Sequence, residues 1–253
     1  MRERITSRKN ETLKHIKRLG RDRDYRRECG EFVCDGEKLL IEALSAGADI
    51  HTVLYDIEKA GALPDVLGAD IYEVPRDVLD SVTQLTSSQS VIFTCAIPER
   101  GRELSGRVLL LDRLQDTGNV GTIIRTADAF GIDMIIEDGC ADIYNPKTIR
   151  SAMGSLFRVP VVSCAMEQAI EQLQSAGVKV YASSLGEDAQ SIETVKLSDA
   201  AVIIGNEGNG VRAEIAKLCD GCVIIPMRGG AESLNAAIAA SILMYKMSKG
   251  LCV

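Results

Sequence analysis

Three polar, glycine-rich segments of this chain gather the residue types that chemistry needs. The first, LDRLQDTGNVGTIIRTADAFG at 111–131, sets Asp116, Thr117, Gly118 and Asn119 ahead of a helical pattern that carries Arg125. The second, GNEGNGV at 205–211, surrounds Glu207 with Gly205, Gly208 and Gly210. The third, IPMRGGAESLNAAIAASILMY at 225–245, leads through Pro226, Gly229 and Gly230 to Ser233, Leu234 and Asn235. Amides, a carboxylate, a hydroxyl and a guanidinium can orient a polar substrate and stabilise developing charge. Each segment also has a plain structural reading. Asn119 and Ser233 could be helix N-caps, Arg125 a solvated helix-face residue, and the glycines a strand-to-helix turn with positive φ. The GxxGxG spacing of the second segment differs from the dinucleotide fingerprint GxGxxG. Its Glu207 would repel phosphates, so the loop suits a neutral or cationic ligand.

Other chemistries are poorly served. His15 and His51 are the only histidines, both far from these segments, which argues against Ser-His-Asp or Cys-His catalysis. No GxxxxGK[ST] phosphate loop occurs. Cys219 and Cys222 form a CxxC pair, but zinc would need a second pair or histidines at matching spacing, so no metal is expected. The eight cysteines read as reduced thiols, mostly in apolar company. The opening MRERITSRKN has charges without an apolar core, and no apolar run approaches the roughly 20 residues of a membrane span. The expectation is a cytoplasmic protein with no membrane partner.

The elements that must position the three segments follow from periodicity. VLLLD, MIIED, VPVVS, VKVYAS, AVIIG and CVIIP read as strands that are predominantly apolar. Helical patterns separate them: about Asn119 to Phe130, near Pro146, Met166 to Ala176, from Val211, and Ser233 to about Ser248. Such alternation predicts an α/β domain with a largely parallel sheet covered on both faces, whose ligands bind beyond the carboxyl ends of the strands. Ahead of it, Asn10 is placed to cap a helix through Leu19. EFVCDG, HTVLYD, IYEVP and VIFTCAI read as strands, EKLLIEALSAG as a helix, and Arg76 to Leu85 as a helical pattern. PERGRELSG marks a boundary, giving domains at 1–98 and 107–253 joined by a linker at 99–106.

Charge is unevenly divided. Residues 1–27 hold eleven Lys and Arg against four Asp and Glu, an excess of +7, so a chain of net −7 carries −14 in the remainder. A basic segment on an acidic protein attracts phosphates where contact is wanted and repels them elsewhere; a solvated helix face is the plain alternative.

Taken jointly, GNVGTIIRTADAFG, IIGNEGNGV and IPMRGGAESLNAAIAA, with NPKTIRSAMGSLFRVPV at 145–161 between them, resemble the motifs of SpoU-family RNA ribose 2'-O-methyltransferases of the SPOUT superfamily. The match spans most of residues 107–248. The first half resembles the substrate-binding domain of some members, similar to ribosomal proteins that bind RNA kinks. The resemblance implies an α/β SPOUT domain with a mostly parallel sheet and a deep trefoil knot, preceded by a smaller α/β, ribosomal-protein-like RNA-binding domain. It implies S-adenosylmethionine as cofactor and a homodimer with the active site near the subunit interface. Carried over by position, Gly205, Gly208, Ile225, Ser233 and Leu234 would contact the cofactor. Asn119, Arg125, Glu207, Ser233 and Asn235 would form the catalytic cluster. Arg8, Lys9, Lys14, Arg18 and Arg150 would meet substrate RNA. Ribosomal RNA is the expected substrate; transfer RNA ribose methylation and a non-catalytic RNA-binding, ribosome-associated protein are the alternatives. A nicotinamide-dependent oxidoreductase fails on the absent fingerprint and on Glu207.

Overall fold

A computed structural model describes residues 3–56, 58, 63–83, 89–99, 104, 106–184, 188–230 and 232–249. Two compact units divide the chain: Met1–Glu99 together with Tyr144–Phe157, and Arg100–Ile143 together with Arg158–Val253.

The first unit contains β1 (Glu3–Arg4), α1 (Glu11–Leu19), α2 (Arg23–Cys29), β2 (Glu31–Asp35), α3 (Glu37–Ser45), β3 (Ile50–Tyr55), β4 (Asp70–Glu73), α4 (Arg76–Asp80) and β5 (Val91–Ala96). Its sheet has the order β1-β4-β3-β5-β2. The β1–β4 and β4–β3 pairs are parallel, and β3–β5 and β5–β2 are antiparallel. Asn10 caps α1 as its position predicts, its side chain accepting the Thr12 N–H at 2.8 Å, and Leu13, Ile16 and Leu19 form the buried stripe. The arginine-rich α2 has no apolar period to announce it. It forms because Asp22 accepts the Tyr25 N–H and Gly30, at φ 63, ends the helix in the left-handed region. The helical pattern from Arg76 stops at Asp80, short of the expected length, and Leu85 lies outside the described residues. Most of the expected linker also lies outside them.

The second unit runs β6 (Val108–Asp112), α5 (Thr117–Ala129) and β7 (Met134–Asp138); the chain then contributes α6 (Pro146–Ala152) to the first unit. It continues with β8 (Val161–Ser163), α7 (Met166–Ser175), β9 (Lys179–Ser183), β10 (Gln190–Ser191), β11 (Ala200–Ile204), α8 (Ala213–Ala216), β12 (Gly221–Ile224) and α9 (Ala236–Ser248). In the first unit, the buried Phe32 packs against Tyr144 and Phe157, with ring centroids 4.7 and 6.2 Å apart, so 144–157 sets its half-buried aromatics there despite lying between β7 and β8 in sequence.

Seven strands form the second sheet in the order β10-β12-β9-β11-β6-β7-β8, and every described pair in it is parallel, as the continuous apolar runs predict. Every residue of β6 and β11 is buried. Leu110, Ile136, Val180 and Ile203 join Met166, Ile170 and Leu173 of α7 in one core, where each fully buried aliphatic side chain contributes roughly 1.5–3 kcal/mol. From β6 the chain steps to β7 and β8, crosses to β9, and inserts β11 between β9 and β6. That reversal sets the carboxyl ends of β6 and β11 side by side, the place where an open parallel sheet leaves a crevice.

Candidate active site

The loops leaving β6 and β11 are laced together by side chains. Asn206 donates its amide to the Arg113 carbonyl at 2.8 Å, a carbonyl that also accepts Gln115 Nε2 at 3.0 Å. These two amides hold Arg113 at φ 58, a left-handed conformation that costs a non-glycine residue about 1–2 kcal/mol. One residue on, the Glu207 carboxylate accepts three N–H groups at 3.1 Å: the Gln115 backbone, the Asp116 backbone and Asn119 Nδ2.

Burial pushes the Glu207 carboxyl up, but the donors from Gln115, Asn119 and Asp116 outweigh it and hold the group below the usual glutamate range. Glu207 is therefore ionised at neutral pH, with its lone pairs committed to holding the two loops together. Asn119 passes the order onward. Its Oδ1 accepts Asn235 Nδ2 at 3.0 Å, and Asn235 Oδ1 accepts the N–H groups of Ala237 and Ile238 at 2.9 and 3.3 Å. The N–H groups of α9 can only donate, so the Asn235 amide can face Asn119 only with its NH2, and Asn119 can then face Glu207 only with its own NH2.

Two capping assignments change. Asp116, accepting the Asn119 N–H at 2.7 Å, caps α5, which begins at Thr117. Asn235 caps α9, which begins at Ala236, and leaves Ser233 exposed ahead of it without a hydrogen bond among the described residues. In both cases the cap is the residue whose carboxylate or amide oxygen reaches the helix N–H groups, and this frees Asn119 and Ser233 for the site. The helix expected from Val211 begins only at Ala213, with Arg212 at its cap.

The glycines divide by physical need. A Cβ on Gly205 would sit 2.0 Å from the Gly210 carbonyl carbon and the Val211 nitrogen, because Asn206 and Gly210 pair their backbones in both directions at 2.9–3.0 Å. Gly210 alone of the three has positive φ, at 67°, so close backbone approach, rather than a shared left-handed conformation, explains Gly205.

Beside this lattice lies a cavity of about 410 Å³. Gly205, Glu207, Gly208, Ile225, Ser233 and Leu234 all line it, together with Ser183, Ser184 and Met227, which the sequence reading did not single out. Three of the five residues expected in the catalytic cluster, Asn119, Glu207 and Asn235, are joined by direct hydrogen bonds. Ser233 shares the cavity with Glu207, whereas Arg125 stands exposed on α5, outside the cavity lining and with no hydrogen bond or ion pair among the described residues. Also missed were Asp112 and Asp138. Charge closing a strand that is otherwise apolar, Asp112 in VLLLD and Glu137 with Asp138 in MIIED, was the available signal. Among the described residues no cluster of three or more His, Cys, Asp or Glu could hold a metal, and no helix is long and apolar enough to cross a membrane.

Of the residues expected to meet RNA, Arg8, Lys9, Lys14, Arg18 and Arg150 are all exposed and belong to the first unit. Arg8 pairs with Asp77 at 2.8 Å, Lys14 with Glu11 at 2.7 Å and Arg18 with Asp22 at 3.3 Å. The Arg18 guanidinium also lies 3.9 Å from the centroid of the Tyr25 ring. Such surface pairs are worth little and can exchange for phosphate.

Comparison with known proteins agrees with this architecture. Residues 10–92 match the MRM3-like substrate binding domain. The chain is 38% identical to the 23S rRNA (guanosine(2553)-2'-O)-methyltransferase RlmP of Bacillus subtilis, over 96% of this chain and 98% of that one. The AdoMet-bound rRNA methyltransferase from Sinorhizobium meliloti superposes with a TM-score of 0.88 at 32% identity, covering 99% of each chain. The SpoU methyltransferase AviRb from Streptomyces viridochromogenes, in complex with the cofactor AdoMet, gives 0.83 at 28% identity over 95% of this chain and 98% of that one. Since residues 106–245, more than half the chain, match the SpoU rRNA Methylase family and carry the laced loops and the cavity, this protein belongs to that family.

Proposed function

We propose that this protein methylates a ribose 2'-oxygen of ribosomal RNA using S-adenosylmethionine. The observation that carries the reading is the cavity at the carboxyl ends of β11 and β12, bordered by the Glu207–Asn119–Asn235 lattice. Its lining suits the cofactor. Backbone at Gly205 and Gly208 can approach a polar ligand without side-chain obstruction, Ile225 and Leu234 offer apolar walls, and the volume falls in the range of small-molecule sites. When bound, S-adenosylmethionine supplies an electrophilic methyl on a sulfonium, so the protein needs to orient and activate the attacking hydroxyl.

The hydroxyl is a weak nucleophile. Glu207 is a poor base for it because three donors already occupy its oxygens. Arg125 is not a base either, since a guanidinium stays protonated. Exposed and uncommitted among the described residues, Arg125 holds the adjacent RNA phosphate and stabilises the developing alkoxide, while that phosphate or a neighbouring group accepts the proton. Ser233, free of internal hydrogen bonds among the described residues, orients the substrate.

The wider reading includes an RNA-binding domain at 1–98, a linker at 99–106 and a catalytic domain at 107–253, with Arg8, Lys9, Lys14 and Arg18 of the first domain and Arg150 of the 144–157 segment on RNA. Relatives named for 23S rRNA support a ribosomal substrate, and a cytoplasmic location goes with that reading. The insertion of β11 between β9 and β6, with α9 packed on α5, suits the trefoil knot of the family. A homodimer would cover Ile238 and Tyr245, exposed by 53% and 49% on α9. The deciding experiment is transfer of a tritiated methyl from S-adenosylmethionine to ribosomal RNA lacking native modification, followed by mapping of the labelled nucleotide. Ribose label at one site, lost with Arg125→Ala, is the expected result; cofactor binding without transfer to any RNA overturns the reading.

A further inference from the structure

We propose that Arg212 is a positioning residue for methyl transfer, clamping the 205–211 loop to the ends of β6 and β7 so that Glu207 and the cavity wall keep their places. The proposal rests on the methyltransferase reading.

Asp112 and Asp138 are register partners at the ends of neighbouring parallel strands. Asp112 is fully buried, and two adjacent carboxylates in such surroundings are costly unless a cation meets them. Arg212 meets both. Its backbone N–H and Nε reach the two Asp112 oxygens at 2.9 and 2.7 Å, and a terminal nitrogen reaches Asp138 Oδ2 at 2.6 Å. That Asp138 oxygen also accepts the Met166 N–H at the start of α7, at 3.2 Å. Glu167 stands 3.9 Å from the remaining guanidinium nitrogen. Burial works against the Arg212 charge, but hydrogen bonds to the two aspartates hold it protonated.

The clamp's place in the chain is what ties it to function. Arg212 directly follows Val211, the last residue of the loop. Three rungs therefore fasten the 205–211 loop: Asn206 on Arg113, Glu207 on Gln115 and Asp116, and Arg212 on Asp112. Of these, the third pairs opposite charges, and it fastens the loop exit to the sheet rather than to the other loop. Without it the loop hangs from Asn206 and Glu207, while Asp112 and Asp138 repel each other beneath it. An apolar pair at those strand ends would make a more economical core, but it could not hold the loop.

The test uses the full chain with Arg212→Met, Arg212→Lys and the charge-balanced double variant Asp112→Asn/Arg212→Met. Calorimetric titration with S-adenosylmethionine, urea midpoints, and kcat and KM on ribosomal RNA are measured for each. Arg212→Met is expected to bind the cofactor about tenfold more weakly and to lose kcat by up to about a hundredfold through misplacement. Arg212→Lys, which keeps the charge but not the fork, recovers part of both. Because Arg212 acts through Glu207, adding Arg212→Met to Glu207→Gln should cost little further kcat, a coupling that a merely structural role would not produce. Should Arg212→Met fail to fold, the double variant removes the buried charge of Asp112 and its repulsion of Asp138, and faces the same expectations. Wild-type cofactor affinity and kcat in a folded variant lacking the guanidinium, or losses that multiply fully with Glu207→Gln, would overturn the proposal. If the wild-type chain binds cofactor but methylates no RNA, the enzymatic reading fails, while the affinity comparison still decides whether the clamp holds the cavity.

Discussion

The Glu207 carboxylate and the Asn119 amide, 88 residues apart in sequence, meet at 3.1 Å and close a lattice that runs through Asn235 to the first N–H groups of α9. Each member has one allowed orientation, set by donors that cannot accept and a carboxylate that cannot donate. The lattice is thus directional, and its predictions follow from where a substitution breaks that direction.

Glu207→Gln replaces one acceptor oxygen by an NH2 facing N–H donors. A folded protein with kcat reduced about a hundredfold is expected, as when the groups that orient a substrate are misplaced by about an ångström. Steady-state methyl transfer measures it; unchanged kcat would remove Glu207 from the site.

The same carboxylate makes cofactor binding depend on pH. Its pKa in the folded chain lies below that of the unfolded chain, so its stabilising contribution is complete above the ordinary glutamate range and is lost as pH falls through that range and below the folded value. Cofactor affinity should be level near neutrality and decline in moderate acid, with Glu207→Gln lacking that decline. Calorimetry across the acid range checks this.

Asn235→Asp separates capping from the lattice. Aspartate caps as well as asparagine, so the melting temperature should hold. It offers Asn119 no donor, however, and an Asn119 amide turned to donate toward the introduced carboxylate would set its own carbonyl against Glu207. Activity should fall about tenfold or more while stability persists. Asn235→Ala, which loses the cap too, should in addition unfold about 1 kcal/mol more easily. Thermal melts beside kinetic assays distinguish the two.

Gly205→Ala places a methyl against backbone that cannot move aside. A loss of about 1–3 kcal/mol and of measurable cofactor binding is expected. Gly208→Ala meets only the Asn206 Oδ1 at 3.6 Å and should stay within about 0.5 kcal/mol of wild type. Urea denaturation of the pair tests whether close approach is the reason for Gly205.

Ile238→Asp sets a charge on the exposed stripe of α9. If this face joins two copies, sedimentation should show monomers where the wild type sediments as a dimer. A wild-type chain that is monomeric at high concentration would discard the dimer.

Much of this could be read along the chain because its causes are local. The period of Leu13, Ile16 and Leu19, the Asn10 cap and the unbroken apolar runs of VLLLD and AVIIG depend on neighbours within a turn or a strand. The α/β class and parallel sheet follow from them. The three polar segments were recognisable because their residue types and order are themselves the signal.

Other features depend on groups brought together from afar. Asp116 rather than Asn119 caps α5, and Asn235 rather than Ser233 caps α9, because several nearby residues were chemically competent and only packing chose among them. The 144–157 segment packs in the first unit because Tyr144 and Phe157 find Phe32 there. Arg212, which in sequence is one more charged residue after a glycine-rich loop, becomes a clamp because two strand ends place Asp112 and Asp138 within its reach. By itself the sequence determined the kinds of element and the inventory of polar groups. The tertiary structure decided which of those groups spend their hydrogen bonds on one another and which, like Ser233 and Arg125, stay uncommitted among the described residues, because a hydrogen bond is settled by distance and direction in space rather than along the chain.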